Sequence, residues 1–210
     1  AQKRFDDALV ETEALLKAVP NDVNGLNLKV EILITTSEWE KAETVAELLR
    51  ELYPDRVDGN LQLGNINFIQ KKYAKANEAY KKALIKFPLD YDSLLSLSQS
   101  LLVKDGIKAA LDYMEGFLKI YPNHPTAYNI LGELYVRENQ HTEAEAAFMR
   151  AYQLNPTWID TYINLAKLYI VRSENDAVIQ VYLTGLSILP DSISLAMLLA
   201  NAYERFEKID

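Results

Sequence analysis

Cysteine is absent from this 210-residue chain. That excludes disulfides, thiolate nucleophiles and cysteine-based zinc sites. Histidine is nearly absent: His124 precedes a proline and His141 stands alone. Neither has a second histidine four residues away beside a carboxylate, the spacing a helical metal site uses. The simplest assignments are a loop residue for His124 and a half-buried filler for His141. The seven glycines are scattered singly, so there is no glycine-rich loop to cradle a phosphate. No apolar run approaches the ~18–20 residues that cross a bilayer, so membrane insertion is not expected. Basic residues are in deficit, 22 Lys and Arg against 30 Asp and Glu, for a net charge of −8. Binding to a phosphate backbone requires a basic surface, so no nucleic-acid partner is expected. No nucleophile, base and orienting group can be assembled from these residues. No catalytic residue, cofactor or metal is therefore expected, and the chain is read as a non-enzyme.

Proline is also sparse, and it carries the most information. Six of the seven prolines, Pro20, Pro54, Pro88, Pro122, Pro156 and Pro190, are spaced 34 residues apart, and only Pro125 falls outside the series. A fixed period of this length marks a repeated supersecondary unit. Proline lacks the backbone N–H and restrains its predecessor, so each one closes the second helix of a two-helix unit. With proline at repeat position 32, the full units are 23–56, 57–90, 91–124, 125–158 and 159–192, flanked by half repeats 1–22 and 193–210.

Aligned units expose columns. Position 2 holds Asn24, Asp58, Asp92, Thr126, Asp160 and Ser194, all residue types that cap helix starts. Position 8 (Val30, Gly64, Ser98, Gly132, Ala166, Ala200) is small, as is position 20 (Ala8, Ala42, Ala76, Ala110, Ala144, Val178). Small residues there allow two helices to approach closely. Position 24 is large where position 27 is small, as in Tyr80 with Ala83 and Phe148 with Ala151.

These columns resemble the tetratricopeptide repeat, with its W-x2-L-G-x2-Y, A-x3-F and Pro pattern. Unit 125–158 matches at Tyr128, Leu131, Gly132, Tyr135, Ala144, Phe148, Ala151 and Pro156. The resemblance runs along the whole chain. It implies an all-α fold: a right-handed superhelix, or α-solenoid, of antiparallel helix pairs, about twelve helices forming a single array over 1–210. It also implies a protein–protein interaction scaffold that holds a peptide or protein segment in a concave groove lined by the first helices.

On that footing the groove columns can be read off. Position 9 is a polar ladder that includes Asn65, Gln99, Glu133 and Lys167; position 12 is an apolar ridge that includes Phe68 and Leu102. With Asn129 and Ile163 at position 5 and Asn164 at position 6, these nine residues are the candidate groove contacts. Amides can both donate to and accept from an extended backbone, while the ridge buries apolar side chains. Packing against the next unit is the competing role for the ridge. The carboxylate clamp of Hsp70- and Hsp90-binding members is missing: Leu61, Ser96, Thr126 and Ile130 stand where its Lys, second Asn, Lys and Arg belong.

Lys71, Lys72, Lys75, Lys81, Lys82 and Lys86 form a basic cluster, read as a solvated face, with docking of an acidic partner as the alternative. The terminal helix places Leu195, Leu198, Leu199 and Phe206 where a second helix is expected to cover them, which points to end-to-end self-association of the chain. The alternative functions are a structural or self-assembling spacer and a regulatory module attached to a catalytic or secretion-system domain. Because the chain opens inside a half repeat, a longer parent is expected, with any targeting segment outside this sequence. The composition suits cytoplasm and periplasm equally.

Overall fold

The computed structural model describes residues 2–207. Among them are twelve helices and no strand: α1 Gln2–Ala18, α2 Val23–Thr35, α3 Trp39–Leu52, α4 Asp58–Ile69, α5 Tyr73–Lys86 and α6 Tyr91–Asp105, then α7 Ile107–Ile120, α8 Pro125–Arg137, α9 His141–Leu154, α10 Ile159–Val171, α11 Asn175–Ile188 and α12 Ile193–Glu207. Two compact units divide at Gly106 and Ile107. In unit one α2–α3, α4–α5, α3–α4 and α5–α6 pack in succession; in unit two α7–α8, α8–α9, α9–α10, α10–α11 and α11–α12 do the same.

The helix ends follow from local chemistry. Each periodic proline lies two residues past a helix terminus, as Pro54 lies past Leu52 and Pro156 past Leu154. The residue between them has left the helical conformation, as the clash with the proline ring requires. Pro125 is out of phase because it opens α8, where its missing N–H would have had no partner anyway. Within most pairs the turn is made by a left-handed residue at position 15: Ser37, Lys71, Asn139 and Ser173 have φ of 63, 60, 58 and 61°. The next N–H in each case reaches back five residues, as Glu38 does to the Leu33 carbonyl at 2.8 Å and Gln140 to the Tyr135 carbonyl at 2.9 Å. This is the Schellman closure, which satisfies carbonyls left over at a helix end.

The expected N-cap column is displaced. In α2, α6, α8 and α10 the caps lie two residues before position 2, in α4 one residue before it at Val57, and Asn24, Asp58, Asp92, Thr126, Asp160 and Ser194 sit inside the first helical turns. Asp22 and Asp90 accept the N–H groups of Gly25 and Ser93 at 2.7 and 2.8 Å, and Ser192 accepts that of Leu195 at 3.3 Å. His124 lies in the loop between α7 and α8, as expected, and it caps α8 from there. It is 3% exposed, its Nδ1 accepts the Ala127 N–H at 3.2 Å, and its ring stands edge-on to Phe117. The misreading has a physical source: Asp, Thr and Ser also favour the first helical turn, where their charge or dipole meets the unpaired N–H groups.

The core is built on small-against-large contacts between helices. Val30, Ala42, Ala76, Ala110, Ala144, Ala166 and Val178 are fully buried. A Cβ on Gly64 would lie 2.3 Å from the Tyr80 ring, and one on Gly132 would lie 2.5 Å from the Phe148 ring. Position 8 thus trades volume with position 24 of the same unit: glycine faces an aromatic ring, and the larger Val30 shares a cluster with the small Ala46. Position 3 (Gly25, Gly59, Ser93, Ala127, Thr161) is a further buried small column.

The apolar residues of α12 are also placed differently from expectation. Leu195 is fully buried, and Leu198, Leu199 and Phe206 pack with it on the cluster around Tyr162 and Tyr182. They recur at helical spacing and so share the face turned to the core. The most exposed large apolar residues of α12 are instead Ile193 and Met197, 76% and 62% exposed. No described helix is long and apolar enough to cross a membrane.

Candidate functional site

In unit one the first helices α2, α4 and α6 are neighbours, with α4 touching both others. Side-by-side first helices bring equal repeat positions together. Glu31, Asn65 and Gln99 of the ladder and Ile34 and Phe68 of the ridge meet around a hollow of about 320 Å³, completed by Thr35, Gln62, Ile69, Tyr80 and Ser96. The ridge residues are half-buried, so each presents part of its surface to the hollow.

Two amides here have defined orientations. The Tyr80 hydroxyl donates to Asn65 Oδ1 at 3.0 Å, which leaves the Asn65 NH2 as a donor for a ligand. Gln62, itself buried, donates from Nε2 to Asn27 Oδ1 at 3.1 Å, and Asn27 donates in turn to Asp58 at 2.6 Å. The Gln62 carbonyl has no described protein partner. One donor and one acceptor are therefore set at the wall, the pair that a backbone amide in a ligand needs.

Burial pushes the Tyr80 hydroxyl up to about 12, so it stays protonated as the donor to Asn65. The sign of the linked effect follows from this shift. Below the ordinary tyrosine value near 10, folded and unfolded chains both hold the proton and stability is flat. Between about 10 and 12 only the unfolded chain releases it, so stability falls as pH rises. Tyr135 and Tyr169 are also raised to about 12, chiefly by burial and then by hydrogen bonds to Glu115 and Glu145. Thermal unfolding midpoints across this alkaline range are expected to drop steadily in the parent protein and less steeply in Tyr80→Phe. Equal slopes would contradict the assignment.

In unit two α8 and α10 are the neighbouring first helices. Glu133, Asn164 and Lys167 meet Val136, Arg137, Phe148, Leu168 and Val171 around a hollow of about 380 Å³. Asn164 Nδ2 donates to Glu133 Oε1 at 2.9 Å.

Six of the nine sequence candidates are gathered in this way: Asn65, Phe68 and Gln99 in unit one, Glu133, Asn164 and Lys167 in unit two. The other three lie outside the hollows. Leu102 and Ile163 are half-buried on α6 and α10, and Asn129 on α8 is 4% exposed. Tyr80 and Phe148 are lining residues of the second helices that the sequence missed, because position 24 reads as pure packing; Thr35, Ile69, Leu168 and Val171 were not singled out either. Each ring passes a glycine and reaches the hollow from the second helix. The glycine opposite an aromatic was the available signal. Two lysines of the basic cluster are engaged elsewhere, Lys82 with Glu78 at 2.8 Å and Lys86 with Asp55 at 2.7 Å.

Comparison with known proteins agrees with this architecture. Residues 33–91, 61–122 and 95–157 each match the Tetratricopeptide repeat family, together more than half of the chain. A TPR repeat-containing protein of Treponema pallidum (strain Nichols) is 27% identical over 123 residues, 59% of this chain but only 15% of that protein. Among solved structures, yeast Tom70 is similar with a TM-score of 0.69 at 15% identity, covering 95% of this chain and 43% of Tom70. YrrB, described as a TPR protein with an unusual peptide-binding site, has a TM-score of 0.51 at 20% identity, covering 92% of this chain and 97% of its own. Repeat scaffolds of this kind are generally non-catalytic and present surface to protein partners. The chain belongs to the tetratricopeptide repeat family, and its fold is that of a protein–protein interaction scaffold.

Proposed function

We propose that the chain receives an extended peptide segment of a partner protein in the groove formed by its first helices. The observation that carries this reading is the unit-one hollow, where an apolar ridge, an amide donor fixed by Tyr80 and the Gln62 carbonyl face one space. An extended chain alternates its side chains and leaves its amides available between them, so apolar residues can sit on Ile34 and Phe68 while the backbone bonds the amides. That the related fold of YrrB carries a peptide-binding site makes a peptide the ligand to try first.

Each apolar ligand side chain buried on the ridge contributes about 1.5–3 kcal/mol before association costs. Peptides selected from a random displayed library on the parent protein are therefore expected to lose about 10- to 100-fold in affinity on Phe68→Ala. Asn65→Ala is expected to weaken them further. If the selected peptides bind both variants as tightly as the parent, and circular dichroism shows the variants folded, the groove reading is wrong.

A further inference from the structure

The two hollows differ in charge, and the difference suggests a ligand for the second. In unit one the only charged lining residue is Glu31. In unit two Arg137 and Lys167 both line the hollow and both are exposed. No described carboxylate pairs with either cation. The one acid in that hollow, Glu133, already accepts from Asn164. Two cations against one carboxylate leave this site positive on a chain whose net charge is −8. Beneath them lies apolar surface. Phe148 and Leu168 are buried at the floor, Val136 is half-buried, and Val171 is 60% exposed at the rim. Water is a poor partner for that rim.

We infer that the unit-two hollow receives an acidic side chain of a peptide together with an apolar one two residues away. The carboxylate lies between Arg137 and Lys167, and the apolar side chain lies on Phe148, Leu168 and Val171. In an extended chain, residues two apart point to the same wall. The Arg137 guanidinium offers a planar fork that fits a carboxylate, and Lys167 adds a compact second charge. The acidic surface elsewhere repels the same peptide, so the charge that attracts at the hollow also discriminates against other sites. This inference rests on the groove reading and specifies the ligand at one part of it.

The test uses the full chain and three labelled octapeptides with amidated ends. The first is Ser-Asp-Ser-Leu-Ser-Asp-Ser-Leu; the second carries Asn and the third Lys in place of Asp. Fluorescence anisotropy is expected to show the Asp peptide binding at least ~10-fold more tightly than the Asn peptide at low salt. That advantage should shrink as salt screens the exposed cations. In R137E/K167E the Asp peptide is expected to lose at least ~10-fold and the Lys peptide to become the preferred ligand, with the Asn peptide unchanged. Both replaced residues are exposed, so an unchanged thermal midpoint is expected to certify the fold.

Equal binding of the Asp and Asn peptides would overturn the inference. So would a preference for Asp that persists in R137E/K167E, since the acid would then dock elsewhere, for instance on Lys71, Lys72 and Lys75. Binding of no octapeptide at all would overturn it as well. The groove reading fails separately, when peptides selected from the random library ignore Phe68→Ala. If those peptides depend on Phe68 but show no acidic preference at Arg137 and Lys167, only the present inference falls.

Discussion

Phe148→Ala is expected to destabilise the protein by about 3–5 kcal/mol, measured by urea unfolding followed by circular dichroism. The ring is 1% exposed and belongs to a buried cluster with Ala144, Leu165 and Leu168. Its loss removes both apolar burial and the contacts of the atoms around it, because nothing can fill the gap from the far side. Gly132 has no side chain to move in, and the neighbouring small residue Ala144 is itself fully buried. The same geometry makes a second measurement decisive. A Cβ on Gly132 would lie 2.5 Å from the Phe148 ring, so Gly132→Ala alone is expected to cost about 1–3 kcal/mol through overpacking. Combining it with Phe148→Leu is expected to cost clearly less than the sum of the two single changes, since each relieves the defect of the other. Strict additivity, or a Phe148→Ala cost below about 1 kcal/mol, would show that the two positions do not share one space. Because the ring also forms the floor of the unit-two hollow, Phe148→Ala is expected to weaken any ligand held there.

The proline period made the helix pairs legible, because proline cannot continue a helix and its position is a backbone fact independent of the neighbours. The ladder and ridge were legible for the same reason that any amphipathic face is: equal repeat positions on adjacent first helices must line up. What the columns could not give is depth. Asn129 occupies the same column as Leu61 and Leu95, yet it is almost entirely buried while they are half-buried. A column fixes a direction around the helix, but how far neighbouring chains close over it depends on their own side chains. The turn between paired helices was hidden for another reason. Its left-handed residue is Ser37, Lys71, Asn139 or Ser173, and none of these is the glycine that normally advertises such a backbone. The capping column was obscured by variety, since Asp22, Asp90, His124 and Ser192 share an acceptor but no single residue type. On α12 the apolar residues were recognised, but their partners α10 and α11 could be assigned only once the packing was seen.

Gly59→Val is expected to cost about 3 kcal/mol, and no change of side chain elsewhere should recover it. The reason lies in what a Cβ at this position would meet. It would come within 2.5 Å of both the Cα and the backbone nitrogen of Arg50, so α3 and α4 touch main chain to main chain there. At Gly64 and Gly132 the obstacle is a ring that can be shortened by mutation; at Gly59 it is the helix itself. Two effects compete when a helical glycine is replaced. Helix propensity favours the change by up to about 1 kcal/mol, whereas a forced separation of packed helices opposes it by more. Gly116, in α7, isolates the first effect because nothing lies within 4 Å of its Cβ position. Gly116→Ala is therefore expected to stabilise by about 0.5–1 kcal/mol, while Gly59→Ala destabilises, although both glycines lie in helices. The consequence reaches the groove, since α4 also carries Gln62, Asn65 and Phe68. Pushing α4 off α3 must shift those residues against Glu31 and Ile34 on α2. Gly59→Ala is accordingly expected to weaken groove peptides at temperatures where the protein is still folded, and Gly116→Ala to leave them unaffected. Stabilisation by both alanines would show that the α3–α4 contact yields at little cost.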